Sequence, residues 1–508
     1  MSHIAYNLML YLIGFLVLVS SRRFSVHVCN LLAFVIVIAL WSVLSLLALL
    51  ARLPIRLFTV VPLCACIICV VYCLGRRMKP ESKSKVRLHV AFFFGYVSLF
   101  VLANILVINS NRPILTPDSF SYSGMGLTIA ESGTFPSPGL DVKSVVKFTH
   151  CGNIMVPLLW AGATFFGVDF YFSVFPLAAL LFLPILGLFF FKTSNLPGLG
   201  RKSRYLLAVL CAMLLGSVPS YWHHAYYVSS GTLTAVFFGT CMWGIWIYRK
   251  QGGIHWLVMA SLCQICAVLL RTEMLNFSVI PIVMLMGSTR INRLGYIMFL
   301  APFLFVCFLW QGYKIYYGGL GEVGQHEPAI VQLGTLFMFG MTYLVMHFQW
   351  PRRKVAPLAS RLLVCFLLFY LIFALYYNHS GTIRSVAGLL KALSYPRGWC
   401  EGGPWGWIWL SMAVLCVVNA SFVKSRSFVF WGQAVLIYLL MRIILYSLDF
   451  LFPNAAINQF NSGNRMLIHV LPLGIAGMAY ILESSLVCSM RGQSCVARKK
   501  SVSRCNEY

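Results

Sequence analysis

The 508-residue sequence contains few charged residues and very few acids. Only 10% of its residues are charged and just 12 are Asp or Glu, whereas a soluble domain carries about 25% charged residues. Such a chain lacks the polar side chains needed to stay dissolved in water, so a soluble globular class is excluded. Intrinsic disorder is excluded by a hydrophobic content of 60%. The composition therefore predicts a polytopic membrane protein.

Long apolar runs are the main feature that the sequence does contain. A membrane core of about 30 Å needs roughly 20 apolar residues per helix. Fifteen runs approach this length, near residues 4–20, 29–50, 57–74, 88–109, 170–191, 205–221, 231–248, 254–270, 274–288, 295–311, 329–349, 360–377, 405–423, 427–450 and 466–487. We expect an all-α transmembrane helical bundle of about 13–15 spans, with a long non-cytoplasmic loop that carries juxtamembrane helices.

The basic residues predict the orientation of these spans, because short loops rich in Lys and Arg stay on the cytoplasmic side. With the basic loop 75–87 on that side, 27 of the 39 Lys and Arg are cytoplasmic, and nine of the twelve acids lie on or near the outer side. The net charge of +27 thus reflects topology. The bilayer is the expected partner, and a nucleic-acid partner has no support.

Chemistry is expected at the outer surface, where the segments 110–169, 312–328, 378–404 and 451–465 hold nearly all the loop aromatics and acids. In segment 116–135, Pro117 presets the backbone for a helix start and Asp118 is a good N-cap. The apolar side chains that follow share one helical face: Tyr122, Met125 and Ile129. We expect a surface helix here, and a second short helix at 151–167.

These segments resemble the GT-C-type membrane glycosyltransferases, especially the branch with the protein mannosyltransferases and the lipid A aminoarabinose transferases. The likeness rests on an Asp at the start of the long loop, a Tyr four residues later, and three short stretches. These stretches read AESGTF (130–135), HCGNIMVPLLWAGATFFG (150–167) and GNRMLIHVLPL (463–473). The match covers about 88–288 and the stretch from Arg465 to Pro472.

The resemblance implies an inverting enzyme that takes a sugar from a polyprenyl-phosphate donor and gives it to a lipid, glycan or protein acceptor in the cell envelope. It makes Asp118 the general base and Tyr122 a substrate-binding residue. Because Ser119 replaces the acid that often follows that Asp, the reaction is expected to need no metal or other cofactor. A bacterial inner or cell membrane is the expected location, with the active face non-cytoplasmic.

The resemblance also divides the chain into four regions. Extra N-terminal helices and a basic cytoplasmic loop occupy 1–87, and the catalytic core with outer loop 110–169 occupies 88–311. C-terminal helices with outer loops occupy 312–487, and a basic cytoplasmic tail occupies 488–508.

Each candidate site residue has a structural alternative. Asp118 is either a base or a plain N-cap, and Glu131 is a supporting catalytic candidate near the end of the same helix. Arg271 either binds phosphate or pairs locally with Glu273 at the membrane surface.

Four further outer-side residues are candidates for substrate binding. Arg465 suits phosphate, or anchors its span at the interface. Lys314 stands in a Tyr-rich stretch that is either a sugar platform or an aromatic belt. His223 and His224 are placed for sugar contact or interfacial packing, since adjacent side chains point in different directions and suit a shared metal poorly.

Two other function classes and one disulfide stay open. A transporter or flippase of lipid-linked or small-molecule substrates would show interrupted helices and charges within its spans. A non-catalytic relative could act as a scaffold. Cys151 and Cys400 are the cysteines that fall in outer loops, and they could pair in an oxidising compartment.

Overall fold

The chain is all-helical wherever its structure is described. The computed structural model covers residues 3–21, 23–55, 83–110, 117–132, 154–168, 174–194, 200–226, 230–288, 291–318, 329–346, 348, 358–394, 405–418, 426–447 and 466–505. No β-strand occurs in these ranges. The predicted all-α class is therefore confirmed for them.

Nineteen helices follow one another in these ranges. The first ten are α1 (His3–Ser20), α2 (Val26–Leu50), α3 (Lys83–Ser110), α4 (Pro117–Ser132), α5 (Met155–Thr164), α6 (Val174–Thr193), α7 (Arg201–Gly216), α8 (Pro219–Tyr226), α9 (Gly231–Gln251) and α10 (Ile254–Leu270). The remaining nine are α11 (Met274–Phe277), α12 (Val279–Met286), α13 (Arg293–Gly318), α14 (Ala329–Val345), α15 (Ala359–Tyr377), α16 (His379–Ser394), α17 (Ile408–Val418), α18 (Arg426–Ser447) and α19 (Leu467–Cys505).

Nine of the described helices are long and apolar enough to cross a membrane, as expected for a multi-pass protein. They contain the segments His3–Ser20, Val26–Leu50, Ala91–Ser110, Val174–Thr193, Gly231–Gln251, Arg293–Tyr313, Ala359–Tyr377, Ser427–Ser447 and Leu467–Leu486. A tenth span is formed if α7 and α8, which meet at a bend of 60°, count as one.

Fourteen of the fifteen predicted runs coincide with helices, and the run 57–74 lies outside the described residues. Several of these helices are shorter than a full membrane span. Helix α10 has 17 residues, α17 has 11, and the run 274–288 is divided into α11 and α12 at Ser278. The described ranges thus contain nine or ten spans of full length, fewer than the predicted 13–15.

Two predicted outer loops contain helical residues in the part of the chain that the structure describes. Helix α13 continues to Gly318, well past the expected end of its span near 311, and it passes through Pro302 and Gly312 without ending. Helix α16 occupies most of the predicted loop 378–404 and begins after Asn378, whose side-chain oxygen accepts the backbone N–H of Gly381 at 3.0 Å. The polar and small residues of α16 gave it no long apolar run.

Helix α9 lies at the centre of the described bundle. It is buried from Gly231 to Tyr248 and packs against α6, α10 and α19. Its 21 residues span about 32 Å at 1.5 Å per residue, close to the thickness of a membrane core. Its two ends therefore define two ends of the bundle, one near Gly231 and the other near Gln251.

Helices α4 and α5 from the long predicted loop pack against each other. Tyr122, Met125 and Ile129 are buried together, as their spacing predicted. Close approach depends on Gly126, where an added Cβ would lie 2.6 Å from Cβ of Trp160 on α5. Both loop helices predicted from the sequence are therefore confirmed, and they form one packed unit.

Candidate functional site

An Arg–Glu pair lies at the turn between α10 and α11. The extended backbone of Arg271 ends α10, and its Nη1 donates a hydrogen bond to Oε1 of Glu273 at 2.8 Å. Its Nε donates to Oγ of Ser230 at 3.1 Å, just before α9. The local pairing considered for Arg271 is thus confirmed, and the same side chain also links the adjoining ends of α9 and α10.

The environment of Arg271 keeps its guanidinium charged. Burial lowers the pKa of Arg271, but the groups around it, with the Glu273 carboxylate first among them, together outweigh that effect and hold the pKa above its ordinary value. Three tyrosine hydroxyls also interact with it electrostatically, and they belong to Tyr122, Tyr438 and Tyr446. These residues come from α4 and α18, so the turn is a meeting point of distant segments.

A Tyr–His pair joins α18 to the start of α19. The hydroxyl of Tyr438 donates to the carbonyl oxygen of Met466 at 2.9 Å and lies 3.0 Å from Nδ1 of His469. The Tyr438 ring stacks on Phe277 with its centroid 4.2 Å away. Tyr438 and His469 are both fully buried, so packing and hydrogen bonds together fix their positions.

Arg442 adds a second guanidinium, one turn beyond Tyr438 on α18. Its side chain is 1% exposed, and its guanidinium carbon lies 5.5 Å from the ring centroid of Tyr446. Tyr438, Arg442 and Tyr446 are spaced by four residues and therefore share one face of the helix. Arg442 also interacts electrostatically with Tyr438.

These residues form one group at the end of the bundle near Gly231. We call it the polar cluster, and it consists of Tyr122, His224, Arg271, Glu273, Tyr438, Arg442, Tyr446 and His469. Four of its members were predicted site residues: Tyr122, His224, Arg271 and Glu273. The other four were missed, although a charge within an apolar span and the Tyr-x3-Arg-x3-Tyr spacing could have indicated three of them.

His224 reaches the polar cluster because the chain bends sharply before it. Pro219 begins α8 after the 60° bend, and Trp222 braces the bend by donating from Nε1 to the carbonyl oxygen of Gly216 at 2.6 Å. His224 is fully buried and interacts electrostatically with His469. The His223 ring is half-buried and stands edge-on to the His224 ring, at 81° and with the centroids 5.5 Å apart.

Other predicted site residues are not brought into the polar cluster by the described structure. Glu131 is exposed near the C-terminal end of α4 and has no ion pair with another described residue. Asp118 is in the first turn of α4 and Lys314 is in α13, but their side chains lie outside the described structure. Arg465 lies outside it altogether, immediately before Met466.

Metal and disulfide sites were the other possibilities raised by the sequence. Among the described residues, no three His, Cys, Asp or Glu side chains come together as a set that could hold a metal ion. Cys151 and Cys400 both lie outside the described residues.

Comparison with known proteins does not assign the chain to a family. No family model matches it, and no curated protein matches it either. Function must therefore be inferred from the residues of the polar cluster and from the sequence motifs.

Proposed function

We propose that this chain is a GT-C-type membrane glycosyltransferase that uses a polyprenyl-phosphate sugar as donor. The observation that carries the proposal is the polar cluster itself. Two guanidiniums, three tyrosine hydroxyls and two imidazoles gather beside helix α4, which begins at the Pro117-Asp118 pair. Each group fits a lipid-linked sugar phosphate at the surface of a membrane.

The cationic groups fit the departing phosphate. Guanidinium binds phosphate oxygens in a two-pronged geometry, and buried donors stabilise developing charge more strongly than donors in water. Arg271 stays protonated at every physiological pH, because a guanidinium does not lose its proton in proteins, and Glu273 favours its charged form further. Arg442 and the hydroxyl of Tyr446 lie at the same end of the bundle as Arg271.

Asp118 supplies the base in the proposed reaction. Its carboxylate removes the proton from the acceptor hydroxyl, whose oxygen attacks the anomeric carbon of the donor sugar. The bond from that carbon to the phosphate oxygen breaks, and its electron pair leaves with the polyprenyl phosphate. Attack from the face opposite the leaving group inverts the anomeric configuration. No metal is required for this charge balance.

The proposed setting follows from the predicted topology. The polyprenyl chain of the donor would lie in the bilayer, and the acceptor, a lipid, glycan or protein, would approach from the non-cytoplasmic side. We place the enzyme in a bacterial cell membrane, as the resemblance implies.

The decisive experiment replaces Asp118 by Asn. Because α4 begins at Pro117, Asp118 lies inside the first turn and is not the N-cap expected from the sequence. Asn removes its charge while keeping its size, so α4 should still form. Sugar transfer in membranes should fall by about 10²–10⁴-fold, while the amount of folded protein stays the same. Ser132→Ala, an exposed change at the other end of α4, is the matched control. If Asp118→Asn transfers sugar at the normal rate, Asp118 is not the general base.

A transporter or flippase of lipid-linked or small-molecule substrates is the second candidate function. Two observations favour it: the 60° bend between α7 and α8, and the buried Arg442 within a span. Reconstituted vesicles discriminate the two functions. A transporter moves a lipid-linked sugar across the bilayer without changing it and needs no carboxylate at Asp118, whereas the transferase releases polyprenyl phosphate.

A further inference from the structure

His469 has a buried ring nitrogen whose hydrogen-bonding role can be worked out from its neighbours. The ring is fully buried in the polar cluster. Its Nδ1 lies 3.0 Å from the Tyr438 hydroxyl, whereas its Nε2 has no hydrogen-bond partner among the described residues. A buried polar atom without a partner is uncommon, and each one calls for an explanation.

The Tyr438 hydroxyl determines which nitrogen of His469 carries the proton. A carbonyl oxygen can only accept, so the 2.9 Å bond to Met466 uses the single hydroxyl proton of Tyr438. The hydroxyl oxygen must then accept from His469, and Nδ1 carries the hydrogen. In a neutral imidazole the other nitrogen is an acceptor. Nε2 therefore presents a lone pair.

The surroundings of this lone pair suit a ligand. His469 interacts electrostatically with Arg271 and His224, so its ring lies among the groups assigned to the donor phosphate. Leaving an acceptor unsatisfied here costs free energy, and an O–H donor from a bound molecule would remove that cost. A sugar carries several such hydroxyls, whereas a phosphodiester group carries none.

We propose that His469 is a specificity-determining residue whose Nε2 accepts a hydrogen bond from a hydroxyl group of the donor sugar. This inference rests on the proposed glycosyltransferase function and extends it to sugar recognition. Sites that hydrogen-bond a substrate hydroxyl discriminate strongly against analogues that lack it, because their own polar group is then left unpaired. Tyr438 acts as a positioning residue, since it fixes the tautomer of His469.

The test uses two variants that separate the two ring nitrogens. His469→Asn places an amide near the position of Nδ1, so it can still bond to Tyr438 but offers no acceptor at Nε2. His469→Gln reaches the position of Nε2 and can supply an acceptor there. The full-length chain in lipid nanodiscs would be titrated with farnesyl-phosphoryl glucose, mannose and galactose. Farnesyl methyl phosphate, which has the same single charge and no sugar, is the reference ligand.

We expect the unmodified chain to bind at least one of the three sugar lipids about tenfold or more tightly than farnesyl methyl phosphate. His469→Asn should abolish that preference without weakening the reference ligand, and His469→Gln should keep most of it. A preference that survives unchanged in His469→Asn overturns the proposal, and so does a lack of preference in the unmodified chain.

The tautomer gives a readout that needs no ligand. In magnetic resonance spectra of the chain labelled with ¹⁵N-histidine, the resonances of His469 are those that disappear in His469→Asn. These resonances should show a protonated Nδ1 and an unprotonated Nε2. A proton on Nε2 would overturn the proposal on its own.

The reference ligand keeps the two proposals distinct. If Arg271→Gln weakens farnesyl methyl phosphate about tenfold or more while His469→Asn leaves sugar preference intact, the lipid-phosphate site stands and sugar recognition by His469 fails. If no prenyl phosphate binds the unmodified chain, the proposed function fails and the His469 assignment fails with it.

Discussion

The two ends of the bundle are both polar, but they use their polar groups in different ways. Near Gly231, the polar cluster draws residues from α4, α8, α18 and α19 around the pair Arg271–Glu273. Near Gln251 lies a second group, which we call the basic end and which consists of Lys192, Arg204, Arg249, Lys250 and Glu483. Its cations face backbone carbonyls and ring faces.

The contacts of the basic end have a structural role, because they hold helix ends together. Arg249 donates from Nη1 to the carbonyl oxygen of Met284 at 2.7 Å and lies 5.1 Å from the Phe430 ring centroid. Gln251 donates to the carbonyl oxygen of Lys192 at 2.8 Å, and Ser194 donates to the Glu483 carboxylate. Here each contact ties one helix end to another. The buried atom of the basic end without a partner among the described residues is a donor, Nε of Arg204, whereas at the polar cluster His469 retains an acceptor that no described residue uses.

The largest expected effect comes from breaking the ion pair of the polar cluster. Arg271→Leu leaves the Glu273 carboxylate, only 26% exposed, without its partner, and should lower the free energy of unfolding by about 3 kcal/mol. The double variant with Glu273→Leu should recover much of this loss. At the first residue of α7, the helix that carries Arg204 of the basic end, exposed Arg201→Leu should cost less than about 0.5 kcal/mol. Denaturation midpoints in detergent micelles would measure the stability of all three variants. Equal losses of stability in Arg271→Leu and Arg201→Leu would contradict the difference between the two ends of the bundle.

A matched pair of tyrosines tests whether only one end takes part in function. Tyr438→Phe and Tyr480→Phe each remove a buried hydroxyl with two hydrogen-bond contacts. Each should therefore lower the free energy of unfolding by about 1–3 kcal/mol. Only Tyr438→Phe should also reduce sugar transfer, since Tyr480 belongs to the other end. Loss of transfer in Tyr480→Phe beyond its loss of folded protein would contradict this division.

The packing of α4 on α5 offers a smaller and more local test at the polar end. Gly126→Ala would force a Cβ to within 2.6 Å of Trp160, which should cost about 1–2 kcal/mol through overpacking. Gly124→Ala is its control, because nothing lies within 4 Å of an added Cβ there. That control should be neutral or slightly stabilising, since Ala favours helix more than Gly. Thermal unfolding would compare the stability of the two variants. If Gly126→Ala were as stable as the unmodified chain, α4 could shift on α5 without a loss of stability.

The smallest expected effect concerns the cations of the basic end. The Nζ of Lys250 lies 4.7 Å from the ring centroid of Trp246, and Lys250→Gln should cost about 0.5 kcal/mol. Exposed Lys202→Gln should have no measurable effect on the same denaturation midpoint. A loss above about 1 kcal/mol from Lys250→Gln would mean that the basic end is held by charge more strongly than ring contacts explain.

The fold was largely predictable because long apolar segments have few alternatives in a membrane. Each must satisfy its backbone hydrogen bonds internally, and a helix does so. Helix α16 was not predicted, because apart from Leu389 its buried residues are small: Gly381, Thr382, Ser385, Gly388 and Ala392. Ser385 donates to the carbonyl oxygen of Ile443 at 3.2 Å, so α16 is held by close approach and hydrogen bonds that hydropathy does not report.

The polar cluster was predictable only in part. Arg271 and Glu273 stood out because charges directly follow an apolar run, and Tyr122 because of its helical spacing with Met125. His469 lies in a helix that is apolar on several sides, so no pattern distinguished the face that turns inward. Contacts between residues far apart in the sequence, such as Arg271 with Tyr438, depend on tertiary packing that local patterns do not encode.

A hydrogen-bonded chain at the basic end has a consequence for how the protein is made. Nε1 of Trp246 donates to the hydroxyl of Tyr480 at 2.8 Å, and that hydroxyl also bonds to Thr193 at 2.5 Å. Trp246 and Tyr480 are separated by 234 residues, which take about 12–47 s to synthesise at 5–20 residues per second. Until then, Nε1 of Trp246 on α9 lacks this acceptor, whereas the Thr193 hydroxyl on α6 can already donate to the carbonyl oxygen of Phe189 at 2.8 Å. Assembly of the bundle centre is therefore completed only when the last described helix arrives.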